Sequence, residues 1–419
     1  MKRFIPILLS SLLSLLPGCS RGDGGYPQIT DIPSLYIETE DAHPIDSKET
    51  YLSCRVVLVE KGGRTLYDSV QVRGRGNSTW MMSPKKPYRL KFRAAIPLLG
   101  EGHATSRDWT LLANHGDKTL LRNALTEDLG AFAGLPFRPG ARFVDLVVNG
   151  EYLGNYQISD QVQAAKGRIP VDKKTGWVLE TSGKWNLEKN NVTTSHGYIY
   201  NIMNPKGGNL TTTKAEEIRS FLERMEDSIL SEDFTDPVKG YRSMIDVESL
   251  VTWYVACEVS GNLDALLSIY MYKEDKDPRM KFGPMWDMDF AYDRSGEASL
   301  LREMEAFVPF EDRPFQFLIQ RLWMDPYFAH ACKAKLDDMV GRGLERYLDS
   351  KIDSLVALTT LSREENFRKW SISEKVYSWE KPLYHDTYEE YIADLKEYLE
   401  IHIPYLQERF TLLAENSGR

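Results

Sequence analysis

Apolar residues alternate with polar ones along much of the chain up to about Glu180, and beyond it they recur at spacings of three and four. A period of two sends successive side chains to opposite faces of a strand, whereas a period near 3.6 lines one face of a helix. The first part is therefore expected to be sheet and the second mostly helix. Tyr88-Arg89-Leu90-Lys91-Phe92-Arg93 is the strictest case, with Leu90 and Phe92 on one face and three cations on the other. Ser34–Thr39 alternates as well, and Arg55–Glu60 is a strand closed by the turn residues Lys61-Gly62-Gly63. Arg142–Val148, then Asn149-Gly150, then Glu151–Tyr156 reads as a hairpin, because Asn-Gly supplies the positive φ angles of a type I′ turn. One helix interrupts, from Asp117 to about Phe132, with Leu121, Leu125 and Leu129 on one face.

In the second part Thr213 is expected to cap a helix that runs to Leu230. Asp246 precedes another, carrying Val247, Leu250, Val251, Tyr254 and Val255. Two strand-like pieces, 268–272 and 280–282, flank a charged turn, and helices resume near Pro314 to end in 386–413. A chain of 419 residues and 48.1 kDa is too long for a single core. The expected division is a leader at 1–18, a flexible linker at 19–28, a strand-rich lobe at 29–180 and a helix-rich lobe at 181–419, in the α+β class.

The leader has the form of an export signal: Lys2-Arg3, then 13 residues from Phe4 to Leu16 with no charge. That run is short for a permanent crossing of a bilayer core of about 30 Å. It ends in Leu16-Pro17-Gly18-Cys19, which resembles the bacterial lipobox and implies cleavage before Cys19 and acylation of its thiol. The plainer alternative is a signal peptide with an incidental cysteine. Ser20, where an Asp would favour the inner membrane, directs the expectation to a lipid anchor in the outer membrane. Without residues 1–18 the chain carries 50 basic and 61 acidic residues, a balance that argues against a nucleic-acid binder. The remaining Cys54, Cys257 and Cys332 are too few for a disulfide scaffold, and Cys257 is expected to be a small buried hydrophobe.

Three segments can carry chemistry. Residues 73–93 hold seven Lys or Arg and no acid: Arg73, Arg75, Lys85, Lys86, Arg89, Lys91 and Arg93. With Gly74 and Gly76 beside them they suit an anion, or else form a bulge with a solvated basic face. Gly261-Asn262-Leu263-Asp264 follows the helix after Asp246, and Asp264 serves there either as a general base or as part of a helix cap. Trp286-Asp287-Met288-Asp289-Phe290 sets two carboxylates one residue apart between aromatics, an arrangement that suits a divalent cation such as Mg²⁺ or a turn capped by Asp side chains. Walker-type phosphate loops, His-Glu-x-x-His, zinc-spaced cysteine pairs, Gly-x-Ser-x-Gly and the His-Arg-Asp and Asp-Phe-Gly signatures of ordinary kinases are all missing.

Taken together, several blocks resemble the CotH family of spore-coat-protein-H-type atypical kinases. They are Arg73–Trp80; Lys85–Lys91; Trp109–Asn114 with Asp117 and Leu121-Arg122-Asn123; Asn149–Tyr156; and Gly283–Asp289, in family order over roughly residues 30–300. The resemblance implies a bilobed, kinase-like fold that binds ATP with Mg²⁺ or Mn²⁺ and moves the γ-phosphoryl group to protein Ser or Thr hydroxyls. By matching position Asp264 would orient or deprotonate the acceptor, and Asp287, with Asp289, would hold the metal. Lys91 would contact the nucleotide phosphates, helped by Arg73 and Arg75, with Glu127 as a possible partner of Lys91 and Glu180 near the junction of the lobes. The acceptor, a protein or other cell-surface material, is not specified.

Two features depart from that pattern. Ordinary kinases carry a second metal-ligating Asn five residues after the catalytic Asp, and here that position is Ile269. An exported lipoprotein also stands outside the compartment where ATP is abundant. Two alternatives follow: a non-catalytic surface lipoprotein that holds a partner or glycan, and a Mn²⁺-dependent nucleotide-sugar transferase using the Asp-x-Asp pair.

Overall fold

The computed structural model describes residues 25–100, 103–183, 187–262, 264–292, 304, 306–307, 314–375 and 385–418. The leader and Cys19 lie outside the described residues. Seven strands close into a barrel: β1 (Ser34–Thr39), β2 (Leu52–Glu60), β3 (Gly63–Gly74), β4 (Tyr88–Ile96), β5 (Ser106–Leu112), β6 (Ala141–Val148) and β7 (Glu151–Asp160). Their spatial order is β1-β2-β3-β4-β5-β7-β6, and β1 closes the ring by pairing parallel to β6, with Ser34 opposite Asp145. Inward-facing Val56, Val72, Leu90, Trp109, Leu111, Val144 and Ile158 are fully buried, so the interior is a packed core. The alternation in β4 behaves as expected: Leu90 and Phe92 enter that core while Arg89, Lys91 and Arg93 face out. Asn149 and Gly150 have φ of 51° and 84°, the conformation that joins β6 to β7.

β8 (Trp177–Ser182) does not belong to the barrel. It is the middle strand of a second sheet, ordered β12-β11-β8-β10-β9, with β9 (Asn191–Thr193), β10 (Ile199–Asn204), β11 (Tyr270–Lys273) and β12 (Lys281–Phe282). The division expected at residue 180 thus falls inside β8. β9 and β10 occupy a stretch expected to be mainly helical. Both are short, and buried Tyr200, Asn201 and Ile202 are consecutive, so β10 lacks the period-two signal.

Nine helices lie among the described residues: α1 (Ser78–Met82), α2 (Arg122–Ala133), α3 (Thr212–Leu230), α4 (Val247–Ser260), α5 (Pro314–Leu322), α6 (Pro326–Gly341), α7 (Leu344–Leu358), α8 (Thr360–Lys369) and α9 (Tyr388–Asn416). Asp246 caps α4 by accepting the N–H of Ser249, and eleven consecutive residues, Leu250–Ser260, are buried. α4 is therefore the central helix, packed by α2, α6 and α9. Thr211 rather than Thr213 caps α3, because its hydroxyl accepts from the N–H of Lys214. α2 starts five residues later than expected. The Asp117 carboxylate accepts the N–H groups of Thr119 and Arg122 and holds 117–121 as a turn.

The described residues form a mixed α+β structure, and none of their helices is long and apolar enough to cross a membrane. Cys54, Cys257 and Cys332 are buried, and none is in a disulfide among the described residues.

Candidate active site

The site is built on the chain that leaves α4. Gly261 closes the helix with φ of 51°, donating its N–H to the carbonyls of Cys257 and Glu258. A side chain there would reach within 1.9 Å of the Tyr398 hydroxyl, so both the conformation and the space require glycine. Asn262 is fully buried and works in two directions. Its Oδ1 accepts the N–H of Asp264 at 3.2 Å, and its Nδ2 donates to the main-chain carbonyl of Asp287 at 3.1 Å. Between these two aspartates the chain runs out through β11 and back through β12. The cap belongs to Gly261, while Asn262 braces Asp264 against the loop that carries Asp287.

Asp287 itself has φ of 62°, in the left-handed region that Asp and Asn tolerate better than most residues. Its neighbours Met285 and Met288 are buried anchors, and the N–H of Met288 donates to Oδ1 of Asn123 at 3.0 Å. α2 grips the same segment further on, where Nε of Arg122 donates to the Ala291 carbonyl at 2.7 Å. Arg122 is in turn fixed by Asp117 at 2.5 Å, and both partners are buried. Asn123 also donates to Asn114 at 3.1 Å. Asp117, Arg122, Asn123 and Asn114 are thus positioning residues for the acidic loop. Their positions stood out in the sequence, but the role did not, since it rests on contacts more than 160 residues apart.

Four carboxylates share one electrostatic field here. Asp287 is exposed to solvent on one side, and its pKa is pushed up to about 7 by desolvation from the groups packed around it and by repulsion from Asp289 and Asp264, against the pull of Arg75. Glu180, on β8, contributes to the same field and is itself buried. Desolvation raises its pKa to about 7, opposed by hydrogen bonds with Tyr270 and Asn201, its register partners on β11 and β10. Tyr270 packs edge-on against Trp286, with ring centroids 6.5 Å apart.

The barrel supplies the cations. Arg75, just beyond β3, lies with its guanidinium 5.5 Å from the Trp286 ring centroid and within electrostatic range of Asp287 and Glu180. Arg73 and Arg89 come next to it, close enough to repel it. Lys91 stands two residues beyond Arg89 on the same face of β4, with Nζ 5.9 Å from the Tyr51 ring centroid; Arg73 lies 5.1 Å from that centroid. The basic segment and the acidic loop therefore converge, with Arg75 as the point of contact. Arg89 and Lys206, which sequence reasoning did not select, join the cation group.

Two members of the basic segment do other work. Lys85 is buried and donates to the Asn155 carbonyl at 2.5 Å and to Oδ1 of Asn366 on α8 at 2.9 Å. Lys86 donates to the Trp80 carbonyl. Glu127 accepts from Gln157 and Ser159 at 3.3 and 3.2 Å, and desolvation holds its carboxyl well above the usual range. Ile269 is fully buried, its N–H donating to the Thr181 hydroxyl, so that position presents no ligand to the site. Among the described residues no three His, Cys, Asp or Glu side chains form a group able to hold a metal unaided. A cavity of about 30 Å³ touches Arg75, Asn123, Glu127, Trp286 and Asp287, and larger ones lined by described residues lie elsewhere.

A family model described as CotH kinase protein matches residues 72–402. The match begins at the end of β3 and spans the cations, the acidic loop and the first half of α9. No curated protein matches the chain.

Proposed function

Because the chain belongs to the CotH kinase family, we propose that it is an atypical kinase that transfers the γ-phosphoryl group of ATP to a Ser or Thr hydroxyl. The observation that carries this reading is the approach of Arg75 to Trp286 and Asp287, with Asp264 and Asp289 acting on the same Asp287 carboxylate. Phosphoryl transfer needs positioned charge of both signs more than covalent help from the protein. In this reading the cations Arg75 and Arg73 meet the phosphates, with Lys91 the outermost of the row. Asp264 orients the acceptor hydroxyl and takes its proton as the oxygen bonds to the γ-phosphorus and ADP leaves. Such a base typically contributes about 10²–10⁴-fold.

A divalent ion fits the donor set. Desolvation and then the repulsion of Asp289 and Asp264 raise the pKa of Asp287, and a carboxylate so crowded gains most from a cation. Asp287 and Asp289 would hold Mg²⁺ or Mn²⁺, which supplies charge neutralisation to the phosphates when bound. Two protein carboxylates suffice for such an ion where phosphate oxygens and water complete its shell. This is consistent with Ile269 at the position where ordinary kinases keep another ligand.

The same proposal includes two kinase lobes, the barrel and the helical half, and an acylated Cys19 that tethers the chain to the outer membrane. Labelled palmitate taken up by the wild type and not by Cys19→Ser tests the tether. The test of function is thermal stability with Mg²⁺- or Mn²⁺-ATP. The reading expects a rise in melting temperature that Asp287→Ala abolishes, and no rise with either ion overturns it. Competition by nucleotide sugars would redirect the site to glycosyl transfer.

A further inference from the structure

A cavity of about 330 Å³ opens between the barrel, α2 and α7, and no residue of the acidic loop lines it. On α2 it is bordered by Ala124 and Asp128, one turn apart, whereas Asn123 and Thr126 of the same helix border the small cavity at Asp287. Glu127 stands between the two faces and touches both cavities. The floor is apolar, with Ile32, Ala124 and Phe143 buried and Leu355 of α7 packed against them. Its volume lies in the range usual for small-molecule sites, about 300–1,000 Å³.

Much of the charge around this cavity is already paired. Arg142 donates to the Leu98 carbonyl at 3.0 Å and pairs with Glu60. Asp128 pairs with Lys351 at 3.2 Å. Among the acids and arginines of the lining, Asp31 and Arg138 are left. Both are exposed to solvent, and among the described residues neither side chain makes a hydrogen bond or an ion pair. Glu127 has an opening of another kind: its Oε1 accepts from Gln157 and Ser159, while Oε2 is buried without a hydrogen-bond partner. Desolvation keeps the proton on this carboxyl, so it adds no charge to the cavity. A polar atom shut away without a partner carries a penalty that a ligand group can remove.

We propose that this cavity binds a free α-amino acid with an aliphatic side chain, its ammonium group on Asp31, its carboxylate on Arg138 and its side chain on the floor of Ile32, Phe143 and Leu355. One cation and one anion stand uncompensated in the lining. A carboxylic acid would satisfy Arg138 and leave Asp31, and an amine would do the reverse. A ligand that carries both charges satisfies the pair and brings no net charge into the cavity. Its carboxylate also offers the protonated Glu127 an acceptor. The site needs neither nucleotide nor metal, and it stands or falls apart from the kinase reading.

The experiment measures binding of L-leucine by calorimetry without nucleotide or divalent ions, beside isocaproate, which lacks the ammonium group, and isoamylamine, which lacks the carboxylate. Leucine is expected to bind with a Kd of about 1 mM or tighter, and each truncated compound at least about tenfold more weakly. Arg138→Ala should weaken leucine about tenfold and leave isoamylamine unchanged. Asp31→Asn should weaken leucine and isoamylamine and spare isocaproate. Both positions are exposed, so both variants should melt with the wild type. Absence of leucine binding, leucine binding that both variants keep in full, or a truncated compound that binds as tightly as leucine would each overturn the proposal.

Discussion

The side-chain amide of Asn262 spans the gap between Asp264 and Asp287, donating to the Asp287 carbonyl at 3.1 Å while its oxygen accepts the N–H of Asp264 at 3.2 Å. One buried residue therefore sets the position of the proposed base relative to the proposed metal ligand. Asn262→Ala removes both bonds, and a cost of about 2 kcal/mol in stability is expected from the groups left unpaired. Transfer should fall at least about a hundredfold, because misplacement of reacting groups by about 1 Å is enough for that. Urea unfolding and initial rates measured side by side check it, and a variant with normal rates would remove Asn262 from the positioning role.

Asp287→Asn separates stability from function. Asparagine tolerates the left-handed backbone at φ of 62°, and the substitution removes a charge repelled by Asp289 and Asp264. The variant without nucleotide should melt no lower than wild type, and should lose the response to Mn²⁺-ATP. Such a trade is usual where like charges are gathered for a ligand.

Lys85 looks in sequence like part of the basic patch, yet it ties the barrel to α8. Its partners are Asn155 and Asn366, and Asn366 also accepts the N–H of Asn155 at 3.1 Å. Asn366→Ala removes one of the two acceptors of the buried Lys85 amine and the acceptor of the buried Asn155 amide, which should cost about 2 kcal/mol. Nucleotide affinity of the folded fraction should be unchanged. Hydrogen exchange localises the loss to β7 and α8 if this account is right.

The pH dependence of stability has a defined sign. Glu226 is fully buried, its Oε1 accepting from the Tyr200 hydroxyl at 2.8 Å, and desolvation raises its pKa from 4.5 to about 7. The folded state then holds a proton that the unfolded chain releases between those values. Stability from this group is full below about pH 4.5, is lost as pH rises to about 7, and is level above. Glu226→Gln should remove that loss, gaining roughly 1–3 kcal/mol over wild type between pH 5 and pH 8 in urea titrations. Equal slopes for the two proteins would contradict it.

Local pattern carried much of the architecture. Alternation from Tyr88 to Arg93 set which side of β4 enters the barrel, and Asn149-Gly150 set a hairpin, because both signals lie within a few residues. Closure of the barrel by β1 against β6 joins residues more than 100 apart, and no local period encodes it. At the site, Asp264 and Asp287 could be selected by their positions in family motifs. Arg89 and Lys206 were passed over. Lys91 and Arg89 share a face of one strand, so periodicity could not rank them; Lys206 reaches the site only through the path of the second sheet. The structure alone shows that the positive and negative segments meet at Arg75.

The most direct measurement is incubation of the protein lacking residues 1–18 with γ-labelled ATP and Mn²⁺, beside Asp264→Ala and Asp287→Ala, followed by detection of labelled protein. The account predicts label on the wild type or an added hydroxyl acceptor, and none with either variant. Label that persists undiminished in both variants would contradict it.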